Sequence, residues 1–232
     1  MHPDSRQTIH MGINFVIAPT PSINMQTHMK FQQSLFERGI EFAGIAFKGR
    51  EITVERQEPT HFVVRVLATE PPAIGQLLVL APQPGSPLGL FAREAEAVVE
   101  AFNTTWPVTR QIVSSDVAFR DLYETTSEHA FQELWEERLG QPGDALKGLG
   151  WSTQGGGFRF VVPPSPNDSD PVEIELRIES YLRDSKKIWV ETIFKWIKPM
   201  SMDTTLDPKR RLHQVDNYVE GTVVPFMMKG SQ

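Results

Sequence analysis

The sequence predicts an α+β protein whose helices pack on one side of antiparallel β-sheet. Strand-like and helix-like segments follow one another in an order typical of this class, and most consecutive strands are separated by short turns. The order strand, helix, several antiparallel strands, helix occurs twice, as a repeat of topology rather than of sequence. We therefore expect two similar halves, residues 1–107 and 108–232, which form one continuous domain or two sheets that abut.

The first half begins with an apolar run at residues 13–18 that prolines end, as is typical of a strand. Asn24 is suited to cap a helix that Gly39 ends. The apolar positions of this helix are Met25, Met29, Leu35 and Phe36. Further strands are predicted at residues 42–47, 51–56, 61–69 and 76–81. The closing helix of this half has an apolar stripe of Phe91, Ala95, Val98, Val99 and Phe102.

The second half repeats this order, beginning with a strand at residues 110–122. Ser127 is the expected N-cap of a helix that Gly140 ends. Its apolar positions are Phe131, Leu134, Trp135 and Leu139. Strands are predicted at residues 158–162, 172–182 and 188–196. Asp207 and Pro208 begin the last helix, whose apolar stripe is Leu212, Val215, Val219, Val223 and Phe226.

The last two strands predict a hairpin with one exposed face. Apolar and charged residues alternate along both strands, so one face belongs to the core and the other to solvent. A loop over residues 183–187 places Tyr181 opposite Trp189 and Glu175 opposite Lys195. The core positions predicted on the first strand are Val172, Ile174, Leu176, Ile178 and Leu182.

The exposed face of this hairpin is the candidate binding surface, formed by Arg177, Tyr181, Trp189 and Ile193. Tryptophan, tyrosine and arginine contribute much of the binding energy at protein interfaces. The alternative is that the aromatic residues pack beneath a neighbouring loop or against the other half of the chain. Isolated apolar residues on a surface need no functional explanation.

Composition excludes several classes of function. The chain has 232 residues and no cysteine, which excludes disulfides, zinc-thiolate sites, iron–sulfur clusters and a thiol nucleophile. Its net charge is −6, and both halves are acidic, so binding to nucleic acid is not expected. No secretory signal and no apolar run of ~20 residues are present, so we expect a cytoplasmic protein without a membrane segment.

The sequence contains no constellation that identifies an enzyme. The six histidines show no metal-ligand spacing on one helix face, and no metal or cofactor is expected. His129 and Glu133 are the best available acid–base pair, but we assign no catalytic residue.

Two passages carry a resemblance to known proteins. The first is Glu128-His129-Ala130-Phe131 with Leu134-Trp135-Glu136 and Arg138-Leu139-Gly140. The second runs from Gly155 through Phe160 and continues at residues 178–184. They resemble a sporadically distributed bacterial family of uncharacterised proteins, mainly over the second half of the chain. The resemblance implies a bacterial cytoplasmic protein and carries over no functional residue. The predicted topology looks like the duplicated TATA-binding-protein-like saddle, or like the helix-grip sheet of lipid carriers.

These observations favour a non-catalytic binding or protein-interaction module that uses the exposed sheet face. Its partner would be another protein or a second copy of the chain. The first alternative is a carrier that holds a small apolar molecule between the sheet and the last helix, where Phe226, Met227 and Met228 would line the cavity. The second alternative is an enzyme of unknown class.

Overall fold

Ten strands form the sheet in the computed structural model, which describes residues 1–70, 73–83, 87–108, 110–149, 153, 155–201 and 207–228. The strands of the first half are β1 Gln7–Ala18, β2 Gly44–Lys48, β3 Glu51–Arg56, β4 Phe62–Thr69 and β5 Ile74–Ala81. Those of the second half are β6 Gln111–Glu124, β7 Gly157–Val162, β8 Val172–Ser180, β9 Lys187–Trp196 and the short β10 Met200–Ser201.

The helices alternate with these groups of strands. The first half contains α1 Met25–Glu37 and α2 Leu88–Thr105. In the second half, α3 Ala130–Gln132 continues as a π-helical turn over Glu133–Arg138. The last helix consists of α4 Pro208–Tyr218, a π-helical turn Val219–Val223 and α5 Val224–Met228. Among the described residues, no helix is both long and apolar enough to cross a membrane.

The sheet is antiparallel throughout and has the strand order β2-β3-β4-β5-β1-β6-β9-β8-β7, with β10 paired to β6. Each half places its first strand beside its last long strand, so β1 and β6 meet in the middle of the sheet. The predicted α+β class is confirmed. The duplication of the two halves stays a prediction.

The two halves share one sheet and one main core. β1 and β6 pair along their length, for example Ile13 with Val117, with irregular register beside Thr8 and beside Val16. The main core cluster includes Phe15 from the first half and Phe194 from the second. The pairing of β1 with β6 therefore joins the two halves in one sheet.

The α-helices pack on one face of this sheet. Buried residues alternate with half-exposed ones along β1, where Ile13 and Phe15 are buried and Asn14 and Val16 are not. The buried positions belong to the same core as the inward residues of α1, α2 and α4, which are Phe31, Leu35, Phe91, Val98, Phe102, Leu212 and Val215. The other face carries no helix among the described residues, and we call it the helix-free face.

Helix α1 begins and ends where the sequence predicts but buries another side. The Asn24 side chain accepts a hydrogen bond from the Thr27 N–H (3.0 Å), and Gly39 has a φ of 74° just after the helix. The buried side consists of His28, Phe31, Ser34 and Leu35. The predicted positions Met25, Met29 and Phe36 are exposed. The sequence of α1 has apolar residues on two sides of the helix, and the side with Phe31 is buried because Phe31 packs on Trp106.

Helix α3 is capped by His129 and not by the predicted Ser127. The Nδ1 atom of His129 accepts a hydrogen bond from the backbone N–H of Gln132 at 3.0 Å. Ser127 instead donates to Glu137 from outside the helix. Histidine is an unusual N-cap, so a rule based on the common capping residues favours the serine.

The last hairpin has a register that differs by two residues from the predicted one. Glu179 lies opposite Trp189, and Tyr181 is in the loop, where its N–H donates to the Lys187 carbonyl. The turn depends on Asp184, whose side chain accepts the Lys186 N–H at 3.0 Å. Side chains keep their faces, because a shift of two residues preserves the alternation. Leu182, which we expected in the core, is 82% exposed.

Strand β7 approaches β8 closely at Gly157. A Cβ atom added to Gly157 would lie 2.0 Å from the Ile178 carbonyl oxygen and 2.6 Å from the Glu179 Cα, and both are backbone atoms that a rotamer change cannot move. A glycine at position 157 therefore allows the close packing of β7 on β8.

We predict that Gly157→Ala lowers the free energy of unfolding by about 1–3 kcal/mol, because β7 must shift away from β8. Gly89→Ala is the matched control, since a Cβ at this helical position meets nothing within 4 Å. It should leave stability unchanged or raise it by about 0.5–1 kcal/mol. Urea titration followed by circular dichroism measures both, and equal stability of the two variants would contradict the close approach.

Candidate functional site

The helix-free face of the second half carries a connected set of charged side chains. They come from four adjacent strands, β6, β9, β8 and β7, and we call them the charge network: Arg120, Glu191, Lys195, Glu175, Arg177 and Arg159. Strand register brings them together, since Arg177 lies opposite Glu191 on β9 and opposite Arg159 on β7. The network exists because alternate residues of adjacent strands point to the same face.

Two carboxylates hold the network together. Glu175 accepts hydrogen bonds from Arg159 Nε (2.9 Å), from Arg177 Nε (2.8 Å) and from Lys195 Nζ (3.2 Å). Glu191 accepts a hydrogen bond from Arg120 Nε at 2.7 Å and forms an ion pair with Arg177 Nη1 at 3.2 Å. Arg177 thus joins the two carboxylates.

The positive and negative members of the network differ in exposure. Glu175 is 4% exposed and Glu191 is 3% exposed. By contrast, the side chains of Arg120 and Arg159 are 43% and 61% exposed. Solvent therefore meets the guanidinium groups first, and this part of an acidic protein presents positive charge.

The network also determines how Glu175 titrates. The hydrogen bond from Arg159 lowers the pKa of Glu175, and burial acts in the opposite direction. Together with the hydrogen bonds from Arg177 and Lys195, it leaves the pKa of Glu175 at about 2. The hydrogen bond with Glu175 also raises the pKa of Arg177, and the pKa of Lys195 is raised by its hydrogen bond with Glu173 and then by that with Glu175. All of these groups are charged at neutral pH.

Two half-exposed apolar residues accompany the network on β9. Trp189 and Ile193 occupy the same face as Glu191 and lie on either side of it along the strand. Across the sheet, Glu191 lies between Arg120 and Arg177. Arg120 and Arg177 therefore form a row across β9 that passes between the aromatic side chain of Trp189 and the aliphatic side chain of Ile193.

Three of the four predicted binding residues meet on this face, namely Arg177, Trp189 and Ile193. Tyr181 does not join them on the strand. It lies in the loop after β8 and lines a separate cavity of about 560 Å³ with His129 and other residues. The predicted pairing of Tyr181 with Trp189 was wrong because the turn closes two residues earlier on β8.

Sequence reasoning missed Arg120, Arg159, Glu175 and Glu191 as site residues. The alternating charges of β8 and β9 were visible, and they indicate an exposed face. The missing information was that β6 and β7 flank this hairpin, because Arg120 lies 71 residues from Glu191 along the chain. No local pattern reports such a pairing.

Polar groups continue the helix-free face across the β1–β6 junction. Asn14 Nδ2 donates a hydrogen bond to Asp116 Oδ2 at 2.8 Å. Burial raises the pKa of Asp116, and it outweighs this hydrogen bond and the charge of Lys195, which both lower the pKa. Burial, and then the charge of Arg120, lower the pKa of His10 to about 4. His10 is therefore neutral at physiological pH and adds no charge to the centre of the face.

The proposed acid–base pair of His129 and Glu133 is not formed. Nδ1 of His129 accepts the hydrogen bond of the helix cap. Glu133 is buried, and it binds the amino group of Met1, the Thr125 hydroxyl and the Thr126 N–H. Burial acts to raise the pKa of Glu133, but these hydrogen bonds outweigh it and leave the pKa below its ordinary value. Among the described residues, no group of three or more His, Asp or Glu could hold a metal ion.

The residues expected to line a carrier cavity face different surroundings. Met227 is buried in the smaller core cluster, which also contains Tyr123 and Ile188. Phe226 and Met228 are half exposed, and the Phe226 ring packs on Phe160 at the edge of the sheet. The three side chains therefore do not share one enclosed space.

We predict that Glu175→Gln lowers the free energy of unfolding at pH 7 by about 1–3 kcal/mol, because three cations lose their shared charged acceptor. The pKa of Glu175 in the folded protein lies below its ordinary value of 4.5, so its contribution is complete above about pH 4.5 and is lost as pH falls toward about 2. The stability difference between wild type and variant should shrink over this range.

Thermal unfolding at a series of pH values measures this difference. Glu173→Gln is the control, since Glu173 is more exposed and binds Lys195 alone among the described residues. Its effect at pH 7 should be smaller. A gap between wild type and Glu175→Gln that stays constant down to pH 2.5 would show that the charge of Glu175 does not stabilise the network.

Comparison with known proteins gives no relative: no family model matches the chain, and no curated protein or solved structure is detectably similar. The resemblance to a bacterial family, and to the saddle and helix-grip topologies, therefore stays a prediction. No functional residue is transferred from another protein, so the geometry of the charge network is the basis for assigning a function.

Proposed function

We propose that this protein is a non-catalytic binding module whose helix-free face holds an acidic segment of a partner protein. One observation carries the proposal: the guanidinium groups of the charge network are exposed while the carboxylates that pair with them are buried. A partner therefore meets cations whose positions are already fixed by hydrogen bonds. Fixed donors bind with less loss of side-chain entropy than free arginines.

The two outer arginines have donors to offer. Among the described contacts, Arg120 and Arg159 each use only Nε. The terminal nitrogens of each guanidinium group thus remain for a ligand. A guanidinium group matches the planar geometry of a carboxylate and can donate two parallel hydrogen bonds to it.

The distance between Trp189 and Ile193 indicates how the apolar residues of a ligand would be spaced. Trp189 and Ile193 are four residue steps apart on an extended strand, a distance of about 13 Å. The row of Arg120 and Arg177 crosses between them. An extended segment with an acidic residue between two apolar ones, at alternate positions, fits this arrangement because alternate side chains of a strand share a face.

The charges of the surroundings favour a protein over a nucleic acid. The chain carries a net charge of −6, and Glu179 is exposed on the same face beside Trp189. A continuous phosphate backbone would meet these negative charges as well as the arginines. A single acidic side chain between neutral residues would contact the arginines without meeting these negative charges.

The test uses a short labelled peptide that contains Leu-Thr-Glu-Thr-Leu, with fluorescence anisotropy as the readout. Arg159→Glu and Trp189→Ala should each weaken binding by about 10-fold, or about 1.4 kcal/mol. Arg65→Glu is the matched control, because Arg65 is an exposed cation on the same face in the first half. It should change binding by less than about 2-fold.

Thermal unfolding of each variant separates lost binding from lost folding. A peptide with lysine in place of glutamate should not bind. The proposal fails if the acidic peptide shows no saturable binding, or if Arg65→Glu weakens binding as much as Arg159→Glu does. Tighter binding of a short oligothymidylate than of the peptide would identify a nucleic-acid site instead.

A further inference from the structure

Strand β7 is an open edge of the sheet. It pairs with β8 on one side, and no described strand pairs with its other side. An unpaired edge presents a row of backbone N–H and C=O groups that can pair with another chain. The six residues of β7 follow a regular register without a bulge, so this edge is straight enough to pair.

The edge lacks the features that usually prevent pairing. Phe160, Val161 and Val162 are exposed, and Val161 is 53% exposed. β7 contains no proline and no lysine, and its one charged residue, Arg159, is already bound to Glu175. Charged side chains, prolines and bulges are the common means of protecting an edge.

The opposite edge of the sheet is different. β2 presents Gly44, Ala46 and Lys48 to solvent, which are two small residues and a charge. Its aromatic residue, Phe47, stacks on His28 of α1 with the rings 5.5 Å apart. An apolar, unprotected edge is therefore a property of β7 and not of this sheet in general.

An apolar patch extends from β7 onto the last helix. The rings of Phe160 and Phe226 are 5.7 Å apart and meet edge to face. Phe226 and Met228 are each about half exposed, and so is Val162. The edge thus combines free backbone groups with apolar side chains on the helix side, where a pairing chain would also bury surface.

We propose that β7 pairs with β7 of a second copy of this chain, antiparallel and about a two-fold axis. The sequence of the strand is complementary to itself in this orientation. With Phe160 opposite Phe160 of the other copy, Arg159 lies opposite Val161 and Phe158 opposite Val162. No two like charges face each other, and each apolar side chain meets an apolar one or the aliphatic part of an arginine. A two-fold, isologous contact of this kind closes after two copies.

The pairing predicts a dimer in solution that one substitution breaks. Size-exclusion chromatography with light scattering, over a series of protein concentrations, should show wild type approaching twice the chain mass of 26.3 kDa. Val161→Lys should give the monomer mass, because each introduced lysine faces Arg159 of the other copy. Ala46→Lys, an equivalent change on the β2 edge, should leave the dimer intact.

A single-cysteine experiment identifies the paired strand directly. The chain has no cysteine, so Phe160→Cys provides one thiol per copy. Facing Cα atoms of antiparallel strands lie about 4.5–5.5 Å apart, a distance that permits a disulfide. Mild oxidation should cross-link Phe160→Cys and not Ala46→Cys, as seen by non-reducing electrophoresis.

Three results would overturn the proposal. They are a wild-type protein that stays monomeric at high micromolar concentration, a dimer that survives Val161→Lys, and equal cross-linking of the two cysteine variants. Circular dichroism confirms that each variant is folded. If Val161→Lys does not fold, the comparison of Phe160→Cys with Ala46→Cys decides the question.

Discussion

The pairing of β1 with β6 is the contact on which the rest of this structure depends. It joins the two halves of the chain into one sheet, and it places the buried residues of both halves in one main core. The α-helices then pack on one side, and the opposite side is a continuous surface that spans both halves. The next pairing, of β6 with β9, brings Arg120 to Glu191 and extends the charge network from the hairpin toward this junction.

The charge network shows how an acidic protein can present a cationic surface. Glu175 and Glu191 lie beneath the arginines, fix their positions and are largely hidden from solvent. Net charge therefore says little about the character of this face. The same buried carboxylates limit the cost of placing several cations side by side, because each cation has a negative partner within hydrogen-bond distance.

Much of the fold could be predicted from the sequence, because hydrophobic alternation and turn residues are local. The class, the order of elements, the cap at Asn24 and the turn at Gly39 follow from such signals. The errors arose where packing or turn chemistry decides. Packing on Trp106 selected the buried side of α1, His129 replaced a common capping residue, and Asp184 set a tighter turn after β8. For the site, the exposed face was predictable but its neighbours β6 and β7 were not.

The buried carboxylates have a further consequence for any ligand of the helix-free face. Glu175 and Glu191 already form ion pairs with these arginines. Because both carboxylates are part of the protein, an acidic ligand must share the arginines with them. A single free carboxylate gains little under such competition. A ligand that adds apolar contacts or a second carboxylate gains much more. We therefore expect the proposed site to select extended, multivalent ligands over small organic acids.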